Sequence, residues 1–290
     1  MPLASFLLVI LAALIHATWN LLAKRAADGG PPFVFAYNLV ACLAYGPWAL
    51  WLVARGDVKW SLPVALCILA SGAVHLAYSL ALQRGYRVAD LSVVYPVSRG
   101  TGPMLSSLAA FLLLGERATL PGVAGLVAVV GGILLIAGHG GAEALRTPAA
   151  RRGVRWGGAT GSLIAAYTLV DGYGVKRLGI APVVLDWCSN LFRFLALLPL
   201  VLADPGGARA AMRGRWGLAV AVGLLSPLAY ILVLGALQWG APISLVAPAR
   251  ELSMLAGALL GLLVLGEPVG RRRLAGCALL AGGVVLLGLA

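Results

Sequence analysis

Moved along itself by 152 positions, the chain lays polar residue on polar residue. Lys24-Arg25 falls on Lys176-Arg177, Asn38 on Asn190, Ala77-Tyr78 on Ala229-Tyr230, and Ser92 and Pro96 on Ser244 and Pro248. One residue is then missing from the second copy, and the shift becomes 151. Arg99 now meets Arg250, Gly115-Glu116 meets Gly266-Glu267, and Gly131-Gly132 meets Gly282-Gly283. Apolar matches would arise by chance in a chain that is 61% hydrophobic. Polar matches in order, with a single gap, would not. The fold must therefore be made of two copies of one unit.

The unit is a membrane one. Only 11% of the residues are charged and the mean hydropathy is +0.96, outside the range of ordinary soluble domains. Apolar stretches of about 20 residues match a hydrocarbon core of about 30 Å. Ten are predicted: residues 3–24, 33–54, 62–83, 91–114, 119–138, 157–178, 182–203, 216–238, 242–265 and 272–290. The first has no small-residue cleavage site before Lys24-Arg25 and reads as a retained helix. Five spans per copy is an odd number, so the second copy enters from the opposite face. Inverted repeats of this kind place a substrate site at the midplane, between the halves. The predicted fold is an all-α integral membrane protein, ten transmembrane helices in two inverted five-helix repeats around a central cavity. The repeats are 1–139 and 157–290, joined by a polar loop, 140–156, with Pro148 and four arginines.

The net charge of +12 is read as topology and attraction to anionic headgroups, with no nucleic-acid partner. Loops after odd-numbered spans carry most of the Lys and Arg, which by the positive-inside rule puts the termini outside. Cys42, Cys67, Cys188 and Cys277 have no metal-ligand spacing and read as packed thiols. No cofactor and no metal site is expected.

An ionised side chain inside a span is costly and faces a cavity or a partner. Arg99 and Arg250, repeat mates beside Pro96 and Pro248, are the leading candidates. Proline frees a carbonyl of the helix ladder, and in lipid such a break belongs beside protein or water. A guanidinium grips carboxylate, phosphate or phosphonate through paired hydrogen bonds. The alternative is pairing with Asp171, Asp186 or Glu251. Glu251 adjoins Arg250, so Arg250 is expected to be partly neutralised and Arg99 to be the arginine that meets substrate. Tyr95 shares a helix face with Arg99 by i, i+4 spacing. His16, Trp19 and Asn20 form a stripe on the first span. Trp19 would stack on a substrate, Asn20 orient it and His16 move a proton; interhelical bonding is the other reading. Tyr78 and Tyr230 are repeat mates in span interiors and are assigned to the cavity. Asp171 and Glu251 are the proton-coupling candidates, with an ion pair to Lys176 the alternative for Asp171. Asp186, Asn190 and Arg193 read as an internally neutralised stripe, and His75 as a satisfied core histidine. Glu116 and Glu267 are expected to cap the helix after each, and the glycine runs to permit close helix packing.

Two five-helix halves, proline and a polar residue in the fourth helix, Gly-Glu closing it and a glycine-rich fifth helix resemble the EamA-type members of the drug/metabolite transporter superfamily. Leu14–Lys24, L-I-H-A-T-W-N-L-L-A-K, is similar to a subgroup associated with phosphonate utilisation. The resemblance implies a cavity surrounded by helices 1, 3, 4, 6, 8 and 9, alternating access, and cytoplasmic termini, against the charge bias. The helix that inserts first often sets orientation, which favours cytoplasmic termini.

The chain has no G-x-x-x-x-G-K-[ST] loop, H-E-x-x-H or Ser-His-Asp set, so neither an ATP-driven pump nor an enzyme is expected. The expected function is secondary active transport of a small organic metabolite, amino-acid-like or anionic and phosphonates included, across the cell inner membrane. A lipid-carrier flippase of the same fold is the alternative, with an intramembrane transferase behind it. The expected partners are the small-molecule substrate, the bilayer and a second copy in a homodimer.

Overall fold

A computed structural model describes residues 1–88, 91–137, 148–256 and 271–290, and the described residues form helices joined by short turns, without a strand. Eleven helices carry them: α1 (Leu3–Arg25), α2 (Gly30–Ala54), α3 (Leu62–Val88), α4 (Leu91–Leu113), α5 (Leu120–Ala137), α6 (Pro148–Lys176), α7 (Pro182–Ala203), α8 (Pro205–Met212), α9 (Trp216–Gln238), α10 (Ile243–Ala249) and α11 (Arg271–Leu289). Five are long and apolar enough to cross a membrane, within α1, α2, α3, α7 and α9, and shorter apolar helices occupy Leu120–Ile136 and Leu274–Leu289.

Two expectations need correction. The part of the connecting segment that is described, residues 148–156, is not loop but the first turns of α6, led by Pro148. Proline at a first helical turn sacrifices no bond, because that N–H has no intrahelical partner. Short α8, between the spans, was not foreseen. Asp204 caps it, Oδ1 accepting from Gly207 N at 2.8 Å.

The chain is turned inside out relative to a soluble protein. Leu3, Leu7, Leu11 and Leu14 on α1, and Leu108, Leu112 and Leu113 on α4, are exposed, while Asn38, His75, Arg99, Thr160, Asp171, Asp186, Arg250 and Glu251 are buried. An apolar exterior around a polar interior suits a bilayer, where exposed backbone and charge have no water to bond.

The principal packing pairs all join residues before 138 to residues after 148: α1 on α9, α3 and α4 on α6, α2 on α7, and α5 on α11. The α5–α11 pair is held close by glycines. A Cβ on Gly132 would lie 2.7 Å from Leu280 N, and one on Gly276 would lie 2.7 Å from Ile136 N. Backbones this near permit van der Waals contact along both helices, the main attraction between apolar helices in lipid.

The proline in each copy acts differently. α4 runs unbroken past Pro96 and Arg99. In the second copy α10 stops at Ala249, and residues 252–256 are again helical after a turn at Arg250 and Glu251. Glu251 N donates to Pro248 O at 3.0 Å, Ser253 N to Arg250 O at 3.1 Å and Met254 N to Glu251 O at 2.8 Å, each spanning three residues. Three-residue bonds tighten the turn and reset the rotation of the helical residues beyond it. The missing residue is thus absorbed at the two charged positions.

Candidate functional site

A cavity of about 90 Å³ lies among α1, α2, α3, α6, α7, α9 and the break after α10. His16 and Trp19 reach it from α1, Tyr37 from α2, His75 and Tyr78 from α3, Tyr167 from α6, Asp186 and Arg193 from α7, Ser226 and Tyr230 from α9, and Arg250 from the break. The lining is therefore aromatic and charged together.

The two arginines have different company, and the one paired with Glu251 is not the one expected. Glu251 pairs with Arg99, not with its neighbour Arg250: Arg99 Nε stands 2.8 Å from Glu251 Oε2. Arg99 Nη2 also donates to Ser253 Oγ at 3.0 Å and stands 3.4 Å from His16 Nε2. Arg99 does not line the cavity; Arg250 does. Arg250 Nη2 donates to Tyr167 Oη at 3.3 Å, and its guanidinium lies 5.7 Å from the centre of the Tyr230 ring. Among the described residues Arg250 makes no ion pair. The physical reason is the break. Successive residues of a helix diverge by about 100°, so Arg250 and Glu251 leave the turn in different directions.

Asp171 is fully buried and does not reach Lys176, which corrects the interfacial alternative. Its Oδ2 accepts from Tyr230 Oη at 2.5 Å and lies 3.0 Å from His75 Nε2. Its Oδ1 is buried and accepts no hydrogen bond among the described residues. His75 stacks on Tyr167 with centroids 4.1 Å apart and meets Tyr230 edge-on at 5.4 Å. Tyr78 is edge-on to Tyr167 at 5.6 Å. Tyr230 is thus shared: its hydroxyl bonds the carboxylate and its ring carries the guanidinium.

On α7, Asn190 Nδ2 donates to Asp186 Oδ2 at 2.8 Å and Arg193 Nη2 to Asn190 Oδ1 at 2.8 Å. The stripe relays opposite charges through one amide. On α1, His16 and Trp19 meet edge to face at 4.8 Å. Trp19 Nε1 is buried without a partner among the described residues. Asn20 does not line the cavity; its Nδ2 donates to His16 O at 2.9 Å. The side chain of Tyr95 lies outside the described ones, as does Glu267.

Glu116 caps a helix, but not the one expected. Gly115, at φ 68°, turns the chain out of α4. Glu116 Oε1 then accepts from Ile243 N at 2.8 Å and Oε2 from Ser244 N at 2.9 Å, so it caps α10 and not α5. Lys176 Nζ donates to Glu116 Oε1 at 3.3 Å and to Ala241 O at 3.1 Å. Burial works to raise the carboxyl pKa, yet the Ser244 and Ile243 donors and the Lys176 charge outweigh it and hold Glu116 below the usual carboxylate range. This clasp ties the ends of α4 and α6 to the start of α10.

The sequence did not single out Tyr37, and His75, a satisfied core histidine as expected, also lines the cavity. The i, i+4 spacing of Tyr167 and Asp171 was a usable signal for the α6 pair. Nothing local marked Tyr37.

Residues 3–138 match the model of the EamA-like transporter family. Twenty-nine solved chains resemble the fold. One, titled only as the crystal structure of a protein, has a TM-score of 0.75, covers 98% of this chain and 98% of its own, and is 20% identical; at that identity the likeness carries the fold alone. No curated protein matches.

Proposed function

We propose, from the match of residues 3–138 to the EamA-like transporter family, a secondary active transporter of small molecules. It carries a small organic anion or amino-acid-like zwitterion across the cell inner membrane by alternating access. Ten spans in two inverted halves surround the site. Two features support the inverted halves: the packing pairs join one half to the other, and a span is broken where it meets the cavity, the usual construction of such sites.

The observation that carries the substrate class is Arg250. It is buried, lines the cavity and makes no ion pair among the described residues. A planar guanidinium in that position takes a carboxylate or phosphonate in two parallel bonds. Trp19 lines the same space and carries an indole N–H without a partner among the described residues, and Asp186 supplies the acceptor an ammonium group needs. A cavity of about 90 Å³ supports a small metabolite over a lipid carrier.

Purified protein, screened by thermal shift with small carboxylates, amino acids and phosphonates, is expected to gain stability with one of these classes. Arg250→Gln should lose that gain, and Arg250→Lys should recover little, because an ammonium cannot make the paired bonds. Stabilisation by organic cations alone, or a full response in Arg250→Gln, would overturn the assignment.

A further inference from the structure

Among the described residues Arg99 and Arg250 are buried inside the bundle with Asp171, Asp186 and Glu251, and a third arginine, the half-buried Arg193, lines the cavity beside them. Two couples satisfy each other. Arg99 meets Glu251 at 2.8 Å, and Arg193 is joined to Asp186 through Asn190. The remaining couple is Arg250 and Asp171, and these do not touch. Tyr230 stands between them, with its ring under the guanidinium and its hydroxyl on the carboxylate. The empty core is therefore neutral in three couples, one held apart by an aromatic ring.

An anion that lands on Arg250 disturbs this balance. It takes the positive charge of the third couple and leaves Asp171 as an uncompensated buried carboxylate, which a poorly solvated interior strongly disfavours. The pocket contains the remedy. His75 Nε2 already faces Asp171 Oδ2, the other carboxylate oxygen is orphaned among the described residues, and His75 lines the cavity. Resting on the anion site at Arg250, we infer that His75 and Asp171 form a proton-binding site that takes up one proton when an organic anion binds. The protein then moves anion and proton together. The proton comes from water on the side the cavity faces and adds to the pair as a unit, on imidazole or carboxyl. No bond to the substrate forms or breaks.

Every charged or titratable group packed around the pair fits this role. The neighbours on α3 and α6 are Cys67, Tyr78 and Tyr167, a thiol and two phenols. Asp186 and Arg193 on α7 cancel through Asn190. Tyr230 on α9 donates to Asp171, and Arg250 is the group whose charge the substrate takes. The anion and the proton thus favour each other by linkage, and the coupling must be reciprocal.

Calorimetric titration of the purified protein at neutral pH, in buffers of different ionisation enthalpy, counts protons taken up per ligand bound. The probes are glycolate, an anion, and β-alanine, a zwitterion that adds no net charge; neither titrates near neutrality. Glycolate should bring close to one proton into the wild type and β-alanine close to none. Asp171→Asn should still bind glycolate, with proton uptake falling toward zero; His75→Gln, which leaves the carboxyl able to take the proton, should move the pH at which uptake is half-complete, and either result decides the matter if the other variant fails to fold. Glycolate binding without uptake overturns the coupling and leaves the anion site standing. Equal uptake with both probes, or unchanged uptake in both variants, also overturns it. Failure of both probes to bind removes the anion site and the coupling with it.

Discussion

Removing Glu251 should damage the protein more than removing both members of its pair. Arg99 and Glu251 are 4% and 1% exposed and stand 2.8 Å apart. At an effective dielectric of about 20, two unit charges at that distance attract by ~6 kcal/mol. Desolvation of the two ions offsets most of this. Deleting one ion leaves the other buried and uncompensated, at a cost of about 3–5 kcal/mol. Replacing both by apolar side chains of similar volume removes the attraction and the desolvation together and is often neutral. Glu251→Met should therefore lower the thermal midpoint by roughly 10 °C, taking about 2–4 °C per kcal/mol, and Arg99→Met should cost about as much. The double variant should recover most of the loss. Unfolding in detergent can be followed by labelling of the thiols, since Cys67 is buried in the folded chain. Residues in contact couple, and the cycle measures by how much. Single losses that merely add in the double variant would refute the reasoning. So would a double variant that folds but no longer responds to the ligand that stabilises the wild type, because Arg99 would then do more than brace the break.

Two other contacts carry testable outcomes. Glu116 has a native pKa below the usual carboxylate range, so its contribution is complete above the unfolded value. It is lost as pH falls through the native one, and Glu116→Gln should cost about 1–3 kcal/mol near neutral pH with a shallower acid limb in a melting-versus-pH series. Gly132→Leu puts a side chain where a Cβ already meets Leu280 N at 2.7 Å; α5 and α11 must separate, and the midpoint in detergent should fall by several degrees while Arg250-dependent ligand binding survives in the folded fraction.

Much of this site is legible as repeat correspondence. Tyr78 and Tyr230, Arg99 and Arg250, and Glu116 stand at marked positions of the duplicated motif, and the single missing residue foretells that the ninth span cannot copy the fourth. What the motif conceals is partner choice. Glu251 adjoins Arg250 in sequence, yet consecutive helical residues do not face each other, and the turn sends the carboxylate to Arg99 instead. Asp171 looks, along α6, like a neighbour of Lys176; its real companions come from α3 and α9. Glu116 reaches amides 127 and 128 positions further along the chain, a distance no local spacing expresses. The apolar pattern sets the helices, but pairing among buried charges is decided by which helices meet, and that is a property of the assembled bundle.

The Glu116 clasp has a consequence for how it can change over generations. Its main donors on α10 are the backbone N–H groups of Ile243 and Ser244, which every residue but proline carries. Side-chain drift at 243 and 244 leaves those donors in place, so the contact is vulnerable from one end only. Exchange of the charges, Glu116→Lys with Lys176→Glu, would rescue an ordinary ion pair. Here it would fail, because a lysine at 116 offers two amide donors nothing to bond. Substitutions at 116 and 176 are for this reason expected to be independent of what occupies 243, proline excepted, and to depend on 244 only through the hydroxyl contact of Ser244.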